Sequence, residues 1–455
     1  MDIDTVFSDV GEYGKYQKLV LWFILLPSTF PCGFHAYNQL FMAAVPDHWC
    51  KIPELNGIQM EIAKNLSIPT IEKDGKMHYS KCKMFSIDYN NASSSDNETT
   101  LLDDNFEQKQ IPCKYGWNYD RSKFTNTVVM DWDLVCENDF SVTLALVLFG
   151  VGGLIGNYIF GYAQDRLGRK PSFYIYLTIQ SIFGFATTFA TNYYVWIAFR
   201  VGVGFTVPAI LGTPYVLAIE LVGPRYRTLV TILINIAYSL ALVSLAIIVW
   251  AVRDWRNLSL TTTLPFLLLF TLYKLLPESP RWLLAQGRYR DAEKILSKIA
   301  RINGRKLPVN YIKYLKVKIE KEKAKEKEHK KIYGVRHLFQ TPNLRIKTLI
   351  VTFIWFTNTS VYVGLSYYAP VLGGDEFLNF FLAGAVELPT YLFLWPSMET
   401  WGRRWTLCVS MIVGGSACLA TFLVRHGMKI FYILYIPTGC ITNIVQKISY
   451  KSTLN

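Results

Sequence analysis

Four long stretches of the chain contain no Asp, Glu, Lys or Arg: Phe140–Gln164, Pro171–Phe199, Leu229–Val252 and Thr348–Gly374. A bilayer core takes roughly 20 apolar residues as a helix, longer than most buried helices of soluble proteins. Backbone groups in lipid find no water, so each such run must close its hydrogen bonds internally and is expected to be helical. The averages over 455 residues, 51% hydrophobic and mean hydropathy +0.21, understate this because short charged loops punctuate the apolar runs. An all-α, polytopic membrane protein is expected.

The first apolar run, Leu19–Pro46, is too long for the core of a signal peptide. Met1–Lys18 before it is acidic and polar, with no basic leader. It is read as an uncleaved first span, 19–46, behind a cytoplasmic segment, 1–18. Further spans are expected near residues 141–163, 171–190, 194–217, 228–251, 257–275, 347–372, 376–398 and 405–424, with a weaker run at 430–446.

Charge orients these spans. The formal net charge is +13, and 19 Lys and Arg against 7 Asp and Glu fall between Pro277 and Ile346. A basic excess confined to one loop marks the cytoplasmic side of a membrane protein and argues against a nucleic-acid-binding face. With the N-terminus inside, the loops Asp165–Lys170, Glu220–Arg227, 277–346 and Glu399–Arg404 are all cytoplasmic, and all carry clustered Arg or Lys. Within the long loop, Lys313–Lys331 is almost wholly charged and is read as a solvated helix near anionic lipid headgroups.

The segment 47–140 falls on the other side of the membrane. It holds Cys50, Cys82, Cys113 and Cys136 and the Asn-x-Ser/Thr sequons at Asn65, Asn91 and Asn97. Cysteines and glycan acceptors together fit an oxidising exterior, with two disulfides expected and three connectivities open. The sequence has no P-loop and no zinc-type Cys/His spacing, so an enzyme, a nucleotide-driven pump, a cofactor and a metal site are not expected.

The loop after the second span contains Asp165-Arg166-Leu-Gly168-Arg169-Lys170, and a loop in the later half contains Glu399-Thr-Trp-Gly402-Arg403-Arg404. An acid, a turn glycine and two bases recur after corresponding spans, as in a carrier of two repeated halves. Such a loop can latch one arrangement of the helices, its carboxylate accepting from the basic pair or a neighbouring helix end. The alternative is that these charges only orient the chain in the membrane.

Two further motifs complete the set: Glu220-Leu-Val-Gly-Pro-Arg225-Tyr-Arg227 after the fourth span and Pro277-Glu-Ser-Pro-Arg281-Trp-Leu-Leu284 after the sixth. With the repeated loop and the long segment after the first span, they resemble the organic cation/anion/zwitterion branch of the major facilitator superfamily. The resemblance implies twelve helices in two six-helix halves around a central path, here a six-helix half (19–46 and 141–276), a basic loop (277–346) and an incomplete second half (347–424). It implies gating roles for Asp165, Arg166, Gly168, Arg169, Glu220, Arg225, Arg227, Arg281, Glu399, Gly402 and Arg403.

Glu387 lies in the middle of an apolar span, where a carboxylate is costly and marks a transport path or a paired site. Its position resembles that of the eighth-helix acid of organic cation carriers, which implies a cationic or zwitterionic small-molecule substrate. Trp355 and Tyr362, two turns apart on the seventh span, resemble substrate-lining aromatics, and aromatic faces attract organic ammonium ions. Asn235 matches a lining position on the fifth span. Phe34, His35 and Asn38 are path candidates on the first, His35 being equally readable as an interhelical hydrogen-bond donor. Arg200 reads as structural, bonded to helix carbonyls or an acid, and Gly152 and Gly156 as helix-packing positions.

After Arg425 the sequence departs from the family pattern: a short apolar stretch interrupted by Pro437 leads to the polar tail Lys447–Asn455. From 425–455 the expectation is a divergent tail with at most part of a tenth helix. Such a chain is expected to transport weakly by itself. The expected function is alternating-access transport of organic cations or zwitterions across the plasma membrane. An organic anion or sugar carrier of the same fold and a non-transporting regulatory form are the alternatives.

Overall fold

A computed structural model describes residues 4–55, 59–73, 76–86, 109–305, 316–317, 339–368, 374–400 and 402–422. The expectations for Asn91, Asn97, most of the charged stretch Lys313–Lys331, the run 430–446 and the tail 425–455 lie outside these residues. So do the side chains of Glu399 and Arg403, whose backbones are described.

Helices dominate. After α1 (Asp4–Val10) come α2 (Lys15–Met42), α3 (Met60–Ser67), α4 (Phe140–Leu167), α5 (Arg169–Thr187), α6 (Tyr193–Glu220), α7 (Arg227–Ala251) and α8 (Trp255–Thr263). Then follow α9 (Pro280–Ala285), α10 (Tyr289–Ile302), α11 (Pro342–Tyr368), α12 (Glu376–Thr400) and α13 (Gly402–Phe422). By length and composition Lys15–Met42, Cys136–Leu167, Tyr193–Glu220, Pro224–Ala251 and Pro342–Tyr368 can each cross a bilayer.

Two spans depart from a uniform helix. The first contains a π turn at Leu21–Leu25 and a 3₁₀ turn at Pro27–Thr29, and it stops at Met42 rather than running on to Pro46. The sixth is α-helical only to Thr263 and continues as a 3₁₀ helix over Leu264–Lys274, with Pro265 at the change of winding. Proline has no N–H and its ring crowds the carbonyl one turn back, so the α-helical ladder cannot pass through it unchanged.

Close helix approach depends on residues without side chains. A Cβ at Gly156 would lie 1.8 Å from the Phe205 carbonyl oxygen, and one at Gly152 would lie 2.7 Å from that of Val201. The two glycines, one turn apart on α4, therefore let its backbone touch α6, the packing expected of such a pair.

The loop 277–346 is partly structured. Amphipathic α10 buries Ala292, Leu296, Ile299 and Ala300 in a cluster that includes Val6, Phe7 and Val10 of α1. Asn303 holds the chain's start against it, accepting from the Tyr16 amide at 3.0 Å and donating to the Val10 carbonyl at 3.0 Å.

Residues 47–139 build a small subdomain from three two-stranded antiparallel ladders. β1 (His48–Cys50) pairs with β6 (Trp117–Tyr119), β2 (Thr70–Lys73) with β3 (Lys76–Tyr79), and β4 (Lys83–Phe85) with β5 (Gln110–Pro112). Among the described residues its core is Cys50, Ile52, Leu55 and Met84 with a few half-buried neighbours. Isolated two-stranded ladders are marginal in water, and here two disulfides supplement them, Cys50–Cys113 and Cys82–Cys136. The sequon Asn65 is exposed on α3 and accepts a hydrogen bond from the Tyr79 hydroxyl.

Of the three connectivities, only this one should appear when peptides of the unreduced protein are mapped by mass spectrometry. Opening the 54-residue span between the second pair with Cys82→Ser should cost the subdomain about 2–4 kcal/mol and expose it to limited proteolysis.

Candidate functional site

Glu387 is buried at 4% exposure in the middle of α12, where that helix packs along α7 of the first half. Gly384 permits the contact, since a Cβ there would already press on Leu242 and Val243 at 3.2–3.4 Å. Ser239 of α7 donates its hydroxyl to one carboxylate oxygen, and the Tyr362 hydroxyl of α11 reaches the other at 3.3 Å. The Tyr391 hydroxyl, one turn beyond Glu387, lies 3.1 Å from Ser239 Oγ. Tyr37 of α2 is buried nearby, its ring centre 5.7 Å from that of Phe380 on α12. The carboxylate thus sits between both halves among aromatic rings and hydroxyls drawn from α2, α7, α11 and α12. Ser239, Tyr238, Tyr37 and Tyr391 had no sequence signal. Their rings and hydroxyls are ordinary in an aromatic-rich chain until the fold gathers them.

The other path candidates scatter. Tyr362 joins Glu387, and Trp355 is half-buried two turns away on α11. Asn235 turns its amide back to the Thr231 carbonyl of its own helix at 2.8 Å. Phe34 packs edge-on against Phe266 with ring centres 5.3 Å apart. His35 and Asn38 face the interior of the first half, where Arg200 collects them. Its guanidinium donates to Asn38 Oδ1 at 3.0 Å, Gln39 Oε1 at 3.1 Å and the His35 carbonyl at 3.3 Å, and lies over the Phe149 ring. Carbonyl oxygens therefore solvate this buried cation. A packing-locked hydrogen-bond group is what a charged residue inside a helix bundle requires.

At one end of the bundle the loop between α4 and α5 closes a charge cluster. Arg169 makes a fork to Glu220 at 3.0 and 2.9 Å, and reaches Asp165 Oδ1 at 3.1 Å and the Gln164 carbonyl at 3.1 Å. Glu278 caps the start of α5, accepting from the amides of Arg169 at 3.0 Å and Lys170 at 3.2 Å, while its own neighbour Ser279 donates at 2.9 Å. The α5 dipole favours an anion there. Gly168 makes room for it: its φ is +105°, and a Cβ would stand 2.5 Å from Glu278 Oε2. The Trp282 indole donates to the Asp165 carbonyl at 2.8 Å.

Of the other gating candidates, Arg166 lies over the Tyr162 ring, Arg225 is exposed, Arg227 begins α7, and Arg281 lies over the Phe7 ring of α1 at 5.1 Å. Gly402 takes the left-handed φ of +73° at the start of α13, the conformation a turn glycine supplies. Glu278 was missed as a site residue although its motif was recognised, because a capping role depends on which helix end comes near.

At the opposite end, beside the disulfide-bonded subdomain, the halves touch. Phe41 of α2 meets Phe377 and Phe380 of α12 with ring centres 6.3 and 5.1 Å apart, and Phe124 meets Phe377 at 5.3 Å. Lys123 binds Glu376 at 2.9 Å across the same gap. That hydrogen bond is the main reason the Lys123 ammonium titrates above its usual range. In the subdomain itself His48, Cys82 and Cys136 cluster, and the disulfide occupies both sulfurs.

Residues 82–445 match the family model described as sugar (and other) transporter. The chain is 52% identical over 442 residues to a β-alanine transporter of Drosophila melanogaster, covering 93% of this chain and 72% of that one. The chain belongs to this transporter family. It is also 41% identical to a carcinine transporter of the same fly, with 93% of this chain and 63% of that protein covered. Organic cation transporter 1 of Caenorhabditis elegans is 34% identical, with 94% and 71% covered. Among solved structures, the xylose transporter XylE of E. coli in a partially occluded inward-open form aligns with a TM-score of 0.57 at 14% identity, over 95% of this chain and 84% of that one. At that identity the likeness speaks for the fold alone: the major facilitator architecture, multi-pass in the membrane.

Two measurements probe the clusters of this transporter. Burial pushes the Glu278 carboxyl above its ordinary 4.5, outweighing three backbone amides that favour its charge. A carboxyl raised in the folded state stabilises the fold most below its unfolded pKa, and that contribution is lost as pH rises through the folded value. In thermal melts between about pH 4.5 and 7.5, the wild type should therefore lose stability relative to Glu278→Gln as pH rises. Second, Lys123→Glu should open the aromatic end, raising labelling of a cysteine placed at Phe380. The charge-swapped Lys123→Glu/Glu376→Lys pair should restore it, by only about twofold because the exposed ion pair is worth about 0.5 kcal/mol.

Proposed function

We propose that this transporter moves small organic cations or zwitterions across the plasma membrane by alternating access, with Glu387 receiving the ammonium group. The observation that carries this reading is the Glu387 carboxylate, buried between the two halves with Ser239 and Tyr362 on its oxygens. A carboxylate in a span is costly, so it favours a solute that brings the opposite charge. The faces of Tyr37, Tyr238, Tyr362 and Tyr391 can hold an ammonium ion by cation–π attraction once it has lost its water. Serine and tyrosine hydroxyls can hold the carboxylate in the solute's absence and release it on binding. β-Alanine and carcinine, for which two relatives are named, both carry an amine.

The halves touch beside the subdomain through Phe41, Phe377, Phe380 and the Lys123–Glu376 pair, so this arrangement is closed at that end. We assign that end to the outside. The disulfides and the exposed sequon Asn65 support this, and the basic loops at the other end support a cytoplasmic position. The Arg169–Glu220–Asp165 cluster then braces the cytoplasmic ends of α4, α5 and α6 as one body. Rocking of one half on the other would expose Glu387 to each side in turn.

Uptake of radiolabelled β-alanine and tetraethylammonium by cells expressing the chain tests the reading. Glu387→Gln should lower saturable uptake about tenfold or more at unchanged surface abundance, a loss of about 1.4 kcal/mol. A monovalent cation gains about 2.3 kcal/mol per 100 mV of inside-negative potential and a zwitterion gains none, so depolarisation separates the two classes. Uptake carried equally well by the Gln variant would remove Glu387 from the mechanism.

A further inference from the structure

The disulfide-bonded subdomain carries a half-open cavity of about 510 Å³, far in sequence from Glu387. Its volume lies in the range of small-molecule sites. Trp49, Trp117 and Tyr119 supply aromatic wall, and Lys51, Lys64 and Arg121 supply charge. Among the described residues the lining contains no Asp or Glu. Among the described residues none of the three cations forms an ion pair with a carboxylate.

The cations of this wall keep unused bonding capacity. Lys64 places its ammonium 3.4 Å from the centre of the Trp49 ring. That stacking holds the cation on the wall of the cavity. The disulfide Cys50–Cys113 fixes β1, which carries Trp49, and β1 is paired to β6, which carries Trp117 and Tyr119, so the wall does not depend on a ligand for its shape. The sequon Asn65 lies on α3 beside Lys64 but is not part of the lining, and its amide is bonded to Tyr79.

We propose that this cavity is a second binding site, selective for a small aromatic carboxylate. The ring would lie against Trp49, Trp117 and Tyr119, and the carboxylate would accept from Lys64 and Arg121. Its charge preference is opposite to that proposed for the ammonium subsite at Glu387. Binding here does not require that the central reading be right.

Calorimetric titration of the purified full chain, both disulfides intact, with 2-naphthoate and with 2-naphthylmethylammonium tests this. The expected result is saturable, one-site binding of the carboxylate, at least about tenfold tighter than the ammonium ion of the same ring system and not displaced by excess tetraethylammonium. Lys64→Gln and Arg121→Gln should each weaken it several-fold. Absence of saturable naphthoate binding, equal binding of the two probes, or unchanged binding by both variants with disulfides intact would overturn the proposal.

Discussion

The hydrocarbon core of a bilayer offers the peptide backbone nothing to bond with, and the rest of this molecule follows from that constraint. Every N–H and C=O at membrane depth must be satisfied within the protein, and the long apolar runs do so as helices. Where proline interrupts the ladder, as at Pro27 and Pro265, the winding changes to 3₁₀ rather than leaving the helix. Between helices there is no water to expel, so association depends on close packing and interhelical hydrogen bonds. Gly152 and Gly156 serve the first, while Arg200 with Asn38, Gln39 and the His35 carbonyl serves the second.

The same constraint separates two kinds of buried charge. Arg200 is surrounded by carbonyl oxygens from the first half alone and acts as a fixed joint between α2 and α6. Glu387 is held by hydroxyls from two other helices, one of them in the opposite half, at the surface across which the halves must move. Hydroxyls can donate or accept and rotate freely, so contacts to them are exchanged more readily than a forked Arg–Glu pair such as Arg169–Glu220.

Much of the fold was legible from periodicity and charge because those signals are local. Apolar length marks the spans, and the spacing Asp165, Gly168, Arg169 is a single turn. Glu387 was equally visible, because one acid in an apolar span stands out against its neighbours. The partners were not. Ser239, Tyr238, Tyr37 and Tyr391 come from helices distant in sequence, and hydroxyls on apolar helices are too common to single out. Glu278 was hidden for the opposite reason, lying in a recognised motif whose role depended on the start of α5 reaching it. His35 and Asn38 carried polarity suggestive of a transport path, yet the Asn38 amide oxygen accepts from Arg200 and the His35 imidazole lies beside Gly184.

The amino-acid sequence by itself determined that this chain is a helical membrane protein, which family it resembles and that an acid lies within a span. These follow from composition over one helix or one loop, and no distant contact can reverse them. Tertiary structure decided which cysteines pair, which hydroxyls meet Glu387, where the two halves touch, and that Trp49, Trp117, Lys64 and Arg121 line a cavity. Each of those depends on the relative placement of segments tens to hundreds of residues apart, which packing and disulfide geometry settle and residue spacing does not.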